Sequence, residues 1–328
     1  MPRVARIVST ARFLPPIEVP NEVLKARWPQ LPDFVDKMEA SSGIRTRFYA
    51  PEEWATSDLA LPAAKLALER AGLTPLDLDL IILGTDSPDY VTPATSVVLQ
   101  GKLGAKNAGT FDVGCACASF PTGIAIGSGL IAANPALKNV LVLGAEVNSA
   151  IVNWKDRDTC ILFGDGAGAA IFSAHASDTD GVLSMKLGGD GSFDHLLNLP
   201  NSGCRHFPDA PGRFITMQGN EVFKQAVRNM SECAISVLET AGLAAGDVSL
   251  LIPHQANTRI IDAVAKRLNI PEEKVFVNIA DYGNTSAATI PIALCEAVEQ
   301  GRLKKGDVLV IDAFGAGLTW GALAMRWA

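Results

Sequence analysis

Glu69-Arg-Ala-Gly-Leu-Thr-Pro-Leu-Asp-Leu-Asp-Leu-Ile-Ile-Leu83 has an echo half a chain later, Glu239-Thr-Ala-Gly-Leu-Ala-Ala-Gly-Asp-Val-Ser-Leu-Leu-Ile-Pro253. Both stretches read as the end of a helix, a glycine stop, a polar turn and a buried strand. Two further echoes follow in the same order. Leu137-Lys-Asn-Val-Leu-Val-Leu-Gly144 resembles Lys304-Lys-Gly-Asp-Val-Leu-Val-Ile311, and Gly166-Ala-Gly-Ala-Ala170 pairs with Gly315-Ala-Gly317. One such match is common to any alternating α/β chain. Three in order, offset by roughly half the length, indicate a duplicated unit.

The halves are expected at residues 1–173 and 174–328. Periodicity in the first predicts helices at 59–71 and 118–133 and strands at 78–83, 110–113, 140–143 and 169–173. In the second it predicts helices at 220–241, 258–268 and 287–300, with strands at 250–252, 275–277, 308–312 and 320–327. The strands are continuously apolar rather than alternating, so both faces of each sheet are covered. Two sheets sharing central helices pack most economically, and 182–219 reads as a long connection between the halves.

Composition bounds the function. The 328 residues are 48% hydrophobic and 19% charged, with a net charge of −7, which excludes a disordered chain and disfavours a solvent-facing solenoid. The acidic balance argues against a nucleic-acid binder. Arg12, Pro15 and Pro16 interrupt any apolar run near the start, and 118–133 falls short of the roughly 20 residues of a spanning helix. A buried core helix, no membrane contact and a cytoplasmic protein are the expectations. Cys115, Cys117, Cys160, Cys204, Cys233 and Cys295 are scattered, which is neither a disulfide framework nor zinc-site spacing, and no metal is expected.

Three stretches could carry chemistry. In Phe111-Asp-Val-Gly-Cys-Ala-Cys-Ala-Ser-Phe-Pro-Thr122, Cys117 sits between a strand end and a helix start. Unsatisfied N–H groups and the macrodipole there favour a thiolate and could hold an oxyanion; a buried small residue is the competing reading. His254, in Leu251-Ile-Pro-His-Gln-Ala-Asn-Thr-Arg-Ile260, leaves a strand end, where α/β proteins place their sites, although a lone histidine is more often structural than catalytic. Asn284, in Tyr282-Gly-Asn-Thr-Ser-Ala-Ala-Thr-Ile290, taken alone is a turn or N-cap residue. The glycine clusters at 164–170 and 314–321 each lead into a strand, so they are not nucleotide fingerprints. Close backbone approach explains them better.

Taken together, Asp112-Val-Gly-Cys-Ala-Cys-Ala-Ser119, Asp158-Thr-Cys-Ile-Leu-Phe-Gly-Asp-Gly-Ala-Gly168, Pro253-His-Gln-Ala-Asn257, Gly283-Asn-Thr-Ser286 and Phe314-Gly-Ala-Gly-Leu-Thr-Trp-Gly321 resemble the β-ketoacyl-acyl-carrier-protein synthase III family. Ser42-Gly-Ile-Arg-Thr-Arg47 matches as well. The resemblance covers nearly the whole chain. It implies a thiolase-like five-layer αβαβα fold of two duplicated halves, usually a homodimer. It also implies Cys117 as the acylated nucleophile, His254 and Asn284 as donors to an enolate, and the backbone N–H groups of Cys117 and Ala316 as the oxyanion hole. The reaction would take an acyl thioester and malonyl-acyl-carrier protein to a β-ketoacyl product with no cofactor. Elongating relatives carry a second histidine where Asn284 stands, and thiolases carry a second cysteine that 314–321 lacks.

Departures from the family pattern bear on substrate. Arg157 and Asn257 match CoA- or pantetheine-binding positions, but Lys37 and Ser41 stand where a tryptophan and an arginine are usual. A lost stacking partner weakens nucleotide binding by about 1 kcal/mol, which leaves an acyl-carrier-protein donor as an alternative to CoA. Thr92 replaces a bulkier residue of the acyl pocket, so a primer longer than acetyl is expected. Lys224, Arg259, Lys266 and Arg267 match docking positions for an acidic carrier protein. The alternative reading is a related acyltransferase or condensing enzyme of secondary metabolism.

Overall fold

The structure, a computed structural model, describes residues 2–31, 33–210 and 212–328. In chain order its first elements are β1 (Arg3–Phe13), β2 (Ile17–Pro20), α1 (Asn21–Lys25), α2 (Phe34–Ser42) and β3 (Thr46–Tyr49). Next come α3 (Thr56–Ala71), β4 (Leu80–Gly84), α4 (Thr95–Leu103), β5 (Gly109–Val113), α5 (Ser119–Ala133), β6 (Asn139–Glu146), α6 (Arg157–Cys160) and β7 (Gly166–Ala176). The chain continues through β8 (Gly181–Gly189), β9 (Leu197–Asn198), β10 (Thr216–Met217), α7 (Gly219–Thr240) and β11 (Leu250–Pro253). It ends with α8 (Thr258–Leu268), α9 (Ile279–Tyr282), α10 (Thr289–Glu299), β12 (Val308–Gly315) and β13 (Thr319–Arg326).

Two sheets form the frame. One has the order β1-β7-β6-β4-β5 and the other β11-β12-β13-β8. Helices α5 and α10 lie between them, where Phe120, Ile124, Ile290 and Leu294 join Ile82 and Val142 of one sheet and Ile252 and Ile311 of the other in a single core. Helices α3 and α4 cover the outer face of the first sheet, packing Leu59, Ala63 and Leu99 onto Ile81 and Leu143. Helices α7 and α8 cover the second, packing Val237 and Val264 onto Leu251 and Val310. The layers therefore run αβαβα, and the repeated stretches are the end of α3 leading into β4 and the end of α7 leading into β11. Burying both faces of both sheets is what the continuous apolar strands required.

The segment Ala116–Ala133 is apolar and long enough to cross a membrane by length and composition alone, yet 67% of it is buried inside the fold. Small residues allow this: Gly123 and Gly127 bring the helix against Val142, Ile82 and Val140.

Two expectations fail. Residues 275–277 form no strand; only Val275 bridges to Leu251, because the chain then turns away as Asn278 N–H donates to Gln255 Oε1 at 3.0 Å. The supposed connection at 182–219 opens with β8, which closes the second sheet against β13. The first sheet also runs on to Ala176 rather than ending at residue 173.

Candidate active site

Strand β5 ends at Val113, and a single tight turn, Ala116–Ala118, precedes α5. Ala116 takes φ = 48°, a left-handed conformation that costs a non-glycine residue energy and marks a constrained turn. The turn lifts Cys117 to the wall of a cavity of about 600 Å³, together with His254, Asn284 and Ala316. All three of Cys117, His254 and Asn284 are buried in the chain, at 8%, 3% and 7% exposure. The first half supplies the thiol and the second supplies the imidazole and the amide.

Each side chain is held by its neighbours. Cys117 Sγ lies 3.4 Å from Ser286 Oγ. Asn284 Oδ1 accepts from Ser286 N–H at 2.8 Å, which leaves its NH2 group as the free donor. His254 Nδ1 lies 2.7 Å from Thr289 Oγ1, whose hydroxyl is also 3.0 Å from the Ser286 carbonyl. One hydroxyl hydrogen serves one acceptor at a time, so Thr289 governs which ring nitrogen of His254 carries the proton. Burial pushes the His254 imidazole down to about 3, so it is neutral. The end of β12 passes so close to the turn that a Cβ on Gly315 would stand 2.7 Å from Cys117 N. The backbones of Cys117 and Ala316 are thereby side by side.

The thiol departs from the expectation. A helix terminus favours thiolate, yet burial pushes Cys117 up to about 12. The Ser286 hydrogen bond opposes this shift, and the nearby carboxyls of Asp86 and Glu146 add to it. Desolvation outweighs the terminus because the thiol is buried in the cavity wall rather than at the surface. Alkylation of Cys117 by iodoacetamide should therefore be slow at neutral pH and climb without a plateau between about pH 7 and pH 10. Peptide mapping that finds a plateau near neutrality would contradict this.

Other expected residues divide. Asn257 lines the cavity and caps α8, its Oδ1 accepting from Arg259 N–H at 2.8 Å. Arg259 lies at the cavity mouth with its guanidinium 5.3 Å from the Phe223 ring centroid, and exposed Lys224 follows Phe223, paired to Glu221 at 2.7 Å. Lys266 and Arg267 are exposed in the last turn of α8, about 11 Å further along its axis. Thr92 is exposed and does not line its own chain's cavity. Lys37 is exposed, and an aromatic residue stands three positions earlier. Phe34 lies 5.4 Å from the Arg157 guanidinium and makes an edge-on contact with Trp28. Helix α2 begins at Phe34, so Phe34 and Met38 share a face and Met38 reaches the cavity.

Sequence reasoning also missed Asp86, which lines the cavity just beyond the end of β4, and Thr289. A charged residue directly after a continuous apolar strand was the available signal for Asp86. Thr289 had none, since its partner lies 35 residues away.

The arrangement offers a buried thiol beside backbone donors and two neutral hydrogen-bonding side chains. The family description "3-Oxoacyl-[acyl-carrier-protein (ACP)] synthase III" matches residues 111–191, and its C-terminal counterpart matches residues 238–327. The chain is 47% identical to the β-ketoacyl-[acyl-carrier-protein] synthase III of Desulfitobacterium hafniense strain Y51, over 98% of this chain and 97% of that protein. The chain belongs to the β-ketoacyl-acyl-carrier-protein synthase III family. The crystal structure of 3-oxoacyl-[acyl-carrier-protein] synthase III from Aquifex aeolicus VF5 superposes with a TM-score of 0.88 at 43% identity, covering 98% of this chain and all of that one. The priming β-ketosynthase of the R1128 polyketide pathway gives 0.89 at 33% identity, covering 99% and 97%. The fold is accordingly the thiolase fold, and the protein is a condensing acyltransferase of the synthase III type.

Proposed function

We propose that the protein loads an acyl group from a thioester onto Cys117 and condenses it with malonyl-acyl-carrier protein. The supporting observation is the convergence of Cys117, His254 and Asn284, from opposite halves, on one cavity. In the first step the carbonyl carbon–sulfur bond of the donor breaks, a bond to Cys117 Sγ forms, and the thiol proton leaves with the departing thiol. Since the resting thiol is protonated, His254 Nε2 relays that proton, with Thr289 accepting from Nδ1–H. The backbone N–H groups of Cys117 and Ala316 stabilise the tetrahedral oxyanion. In the second step malonyl thioester loses carbon dioxide, and the enolate oxygen takes hydrogen bonds from Asn284 Nδ2 and His254 Nε2–H. The enolate carbon then attacks the acyl-cysteine. His254 thus works as acceptor and then as donor, and the Thr289 hydroxyl, between Nδ1 and the Ser286 carbonyl, accommodates both tautomers.

Thr289→Val should lower condensation by about ten- to hundredfold, the worth of one hydrogen bond to a developing charge. Thr289→Ser should restore it. Malonyl decarboxylation and Cys117 acylation, measured separately, would both stay at the wild-type rate if Thr289 only fills space.

An acyl-CoA donor is supported by Phe34 against Arg157, together with Asn257 at the cavity wall. Carrier-protein docking rests on Arg259 and Lys224 at the mouth, with Lys266 and Arg267 at a second, outer contact. We take the protein to be a homodimer: β5 is the open edge of its sheet, and Tyr90 and Val91, beside Thr92, are 59% and 77% exposed. In such a dimer Thr92 would reach the acyl pocket of the second copy, where its small size favours a primer longer than acetyl. The likeness to a priming ketosynthase of polyketide assembly supports the secondary-metabolism alternative equally. The test is intact-mass analysis with acyl-CoA and acyl-carrier-protein donors of increasing length, followed by malonyl-carrier protein. A cysteine adduct that discharges to a β-ketoacyl product supports the reading, and a faster adduct with acetyl than with octanoyl donors sinks the longer primer.

A further inference from the structure

The cavity wall beside Cys117 carries a carboxyl that the condensation does not use. Asp86 follows β4 and lines the cavity, whose wall also carries the apolar Ile151, Leu162 and Phe314. Its carboxyl is met by the N–H of Ala116, one residue before the nucleophile. The residue is not free to swing away. Behind it Glu146, fully buried, accepts from Asp86 N–H at 3.0 Å, Ser87 N–H at 3.1 Å, Ser87 Oγ at 2.6 Å and Thr85 Oγ1 at 3.1 Å. Ser87 Oγ in turn accepts from Val147 N–H at 2.8 Å. Burial raises both carboxyls, and the charge of Asp86 adds to the effect on Glu146, so the pair does not hold two charges at neutral pH.

A polar group fixed in a partly apolar cavity wall penalises an alkyl chain laid over it and rewards a ligand that offers it a further hydrogen bond. We propose that Asp86 is a specificity-determining residue that selects acyl primers carrying a hydroxyl group close to the thioester carbonyl. Asp86 lines the same cavity as Cys117 and its carboxyl is near enough to raise the thiol, so the hydroxyl it would meet is one close to the carbonyl of an acyl group on Sγ. The proposal rests on Cys117 being the acylated residue and names the substrate class of that site.

The test compares 3-hydroxybutyryl-CoA with isovaleryl-CoA, which differ only by a hydroxyl in place of a methyl. Adduct formation on Cys117 is followed by intact mass in the full-length protein. The wild type should acylate with the hydroxylated donor at least about tenfold faster. Asp86→Leu should abolish or invert that ratio, and Asp86→Asn, which still hydrogen-bonds, should keep most of it. Equal rates in the wild type, or an unchanged ratio in Asp86→Leu, would overturn the proposal; the wild-type ratio decides even if the leucine variant fails to fold. Absence of any adduct with these donors, with octanoyl-CoA or with octanoyl-acyl-carrier protein would instead overturn the reading of Cys117, and this proposal with it.

Discussion

Cys117→Ala should abolish acyl loading and lower condensation by at least about 10⁴-fold, while leaving the fold intact. The size follows from the chemistry: without a nucleophile the two-step route through a covalent acyl intermediate is closed. No substitute is at hand, because Cys117 is the only cysteine among the cavity-lining residues. Ser286, 3.4 Å from the thiol, offers only a hydroxyl, a far weaker nucleophile than a thiolate. The structural cost is small by comparison. The thiol makes one long contact with Ser286, and its removal leaves a void that opens into an existing cavity, so the change should stay near 1 kcal/mol. Intact mass, product formation and thermal unfolding on the same preparation separate these effects. An adduct that persists on the alanine variant would show that another residue carries the acyl group. An unaltered cellular role of the alanine variant would point to a thiolase-fold partner whose cysteine is idle.

How much of this was legible in the chain depends on how local each feature is. The duplication was readable because the end of α3 into β4 and the end of α7 into β11 are compact helix–turn–strand units, and burial on both faces writes them as unbroken apolar runs. Strand β1 escaped because Arg3, Arg6 and Arg12 interrupt it; it pairs with β7 at the sheet edge, where one side stays open. Residues 275–277 misled in the opposite sense: Val275 and Phe276 are apolar because they are buried, Val277 is exposed, and only Val275 bridges to Leu251. Cys117, His254 and Asn284 were legible because each sits in a motif at a strand–helix junction. Their environment was not. The depth that raises the Cys117 thiol, the Thr289 contact to His254 and the Asp86–Glu146 pair are all meetings of distant segments, and nothing in the local pattern announces them.

A row of glycines makes the central meeting possible, and breaking it should be the most damaging single change to the fold. Gly84, Gly144 and Gly168 are neighbours in register across β4, β6 and β7. On the face toward the middle layer, a Cβ at Gly84 would stand 2.5 Å from Ser119 Cβ at the start of α5, and one at Gly168 would stand 2.7 Å from Ile292 N in α10. At Gly144 the contact is closest, 2.0 Å from the Ala287 carbonyl oxygen and 2.6 Å from its carbon. That neighbour is backbone, in the turn Ser286–Ala288, so it cannot rotate aside. Gly144→Ala must push the turn away from the sheet, against a core that tolerates little displacement. The expected loss is about 3 kcal/mol or more in urea unfolding. Any folded fraction should lose activity as well, because the turn carries Ser286 and follows Asn284, and a shift of about 1 Å in such groups costs on the order of a hundredfold. Gly129→Ala in α5, where an added Cβ meets nothing within 4 Å, is the control. Alanine should stabilise that helix by about 0.5–1 kcal/mol. If Gly144→Ala unfolds with the wild-type midpoint and condenses at the wild-type rate, the two halves do not meet through this row, and the site's geometry must be set by other contacts.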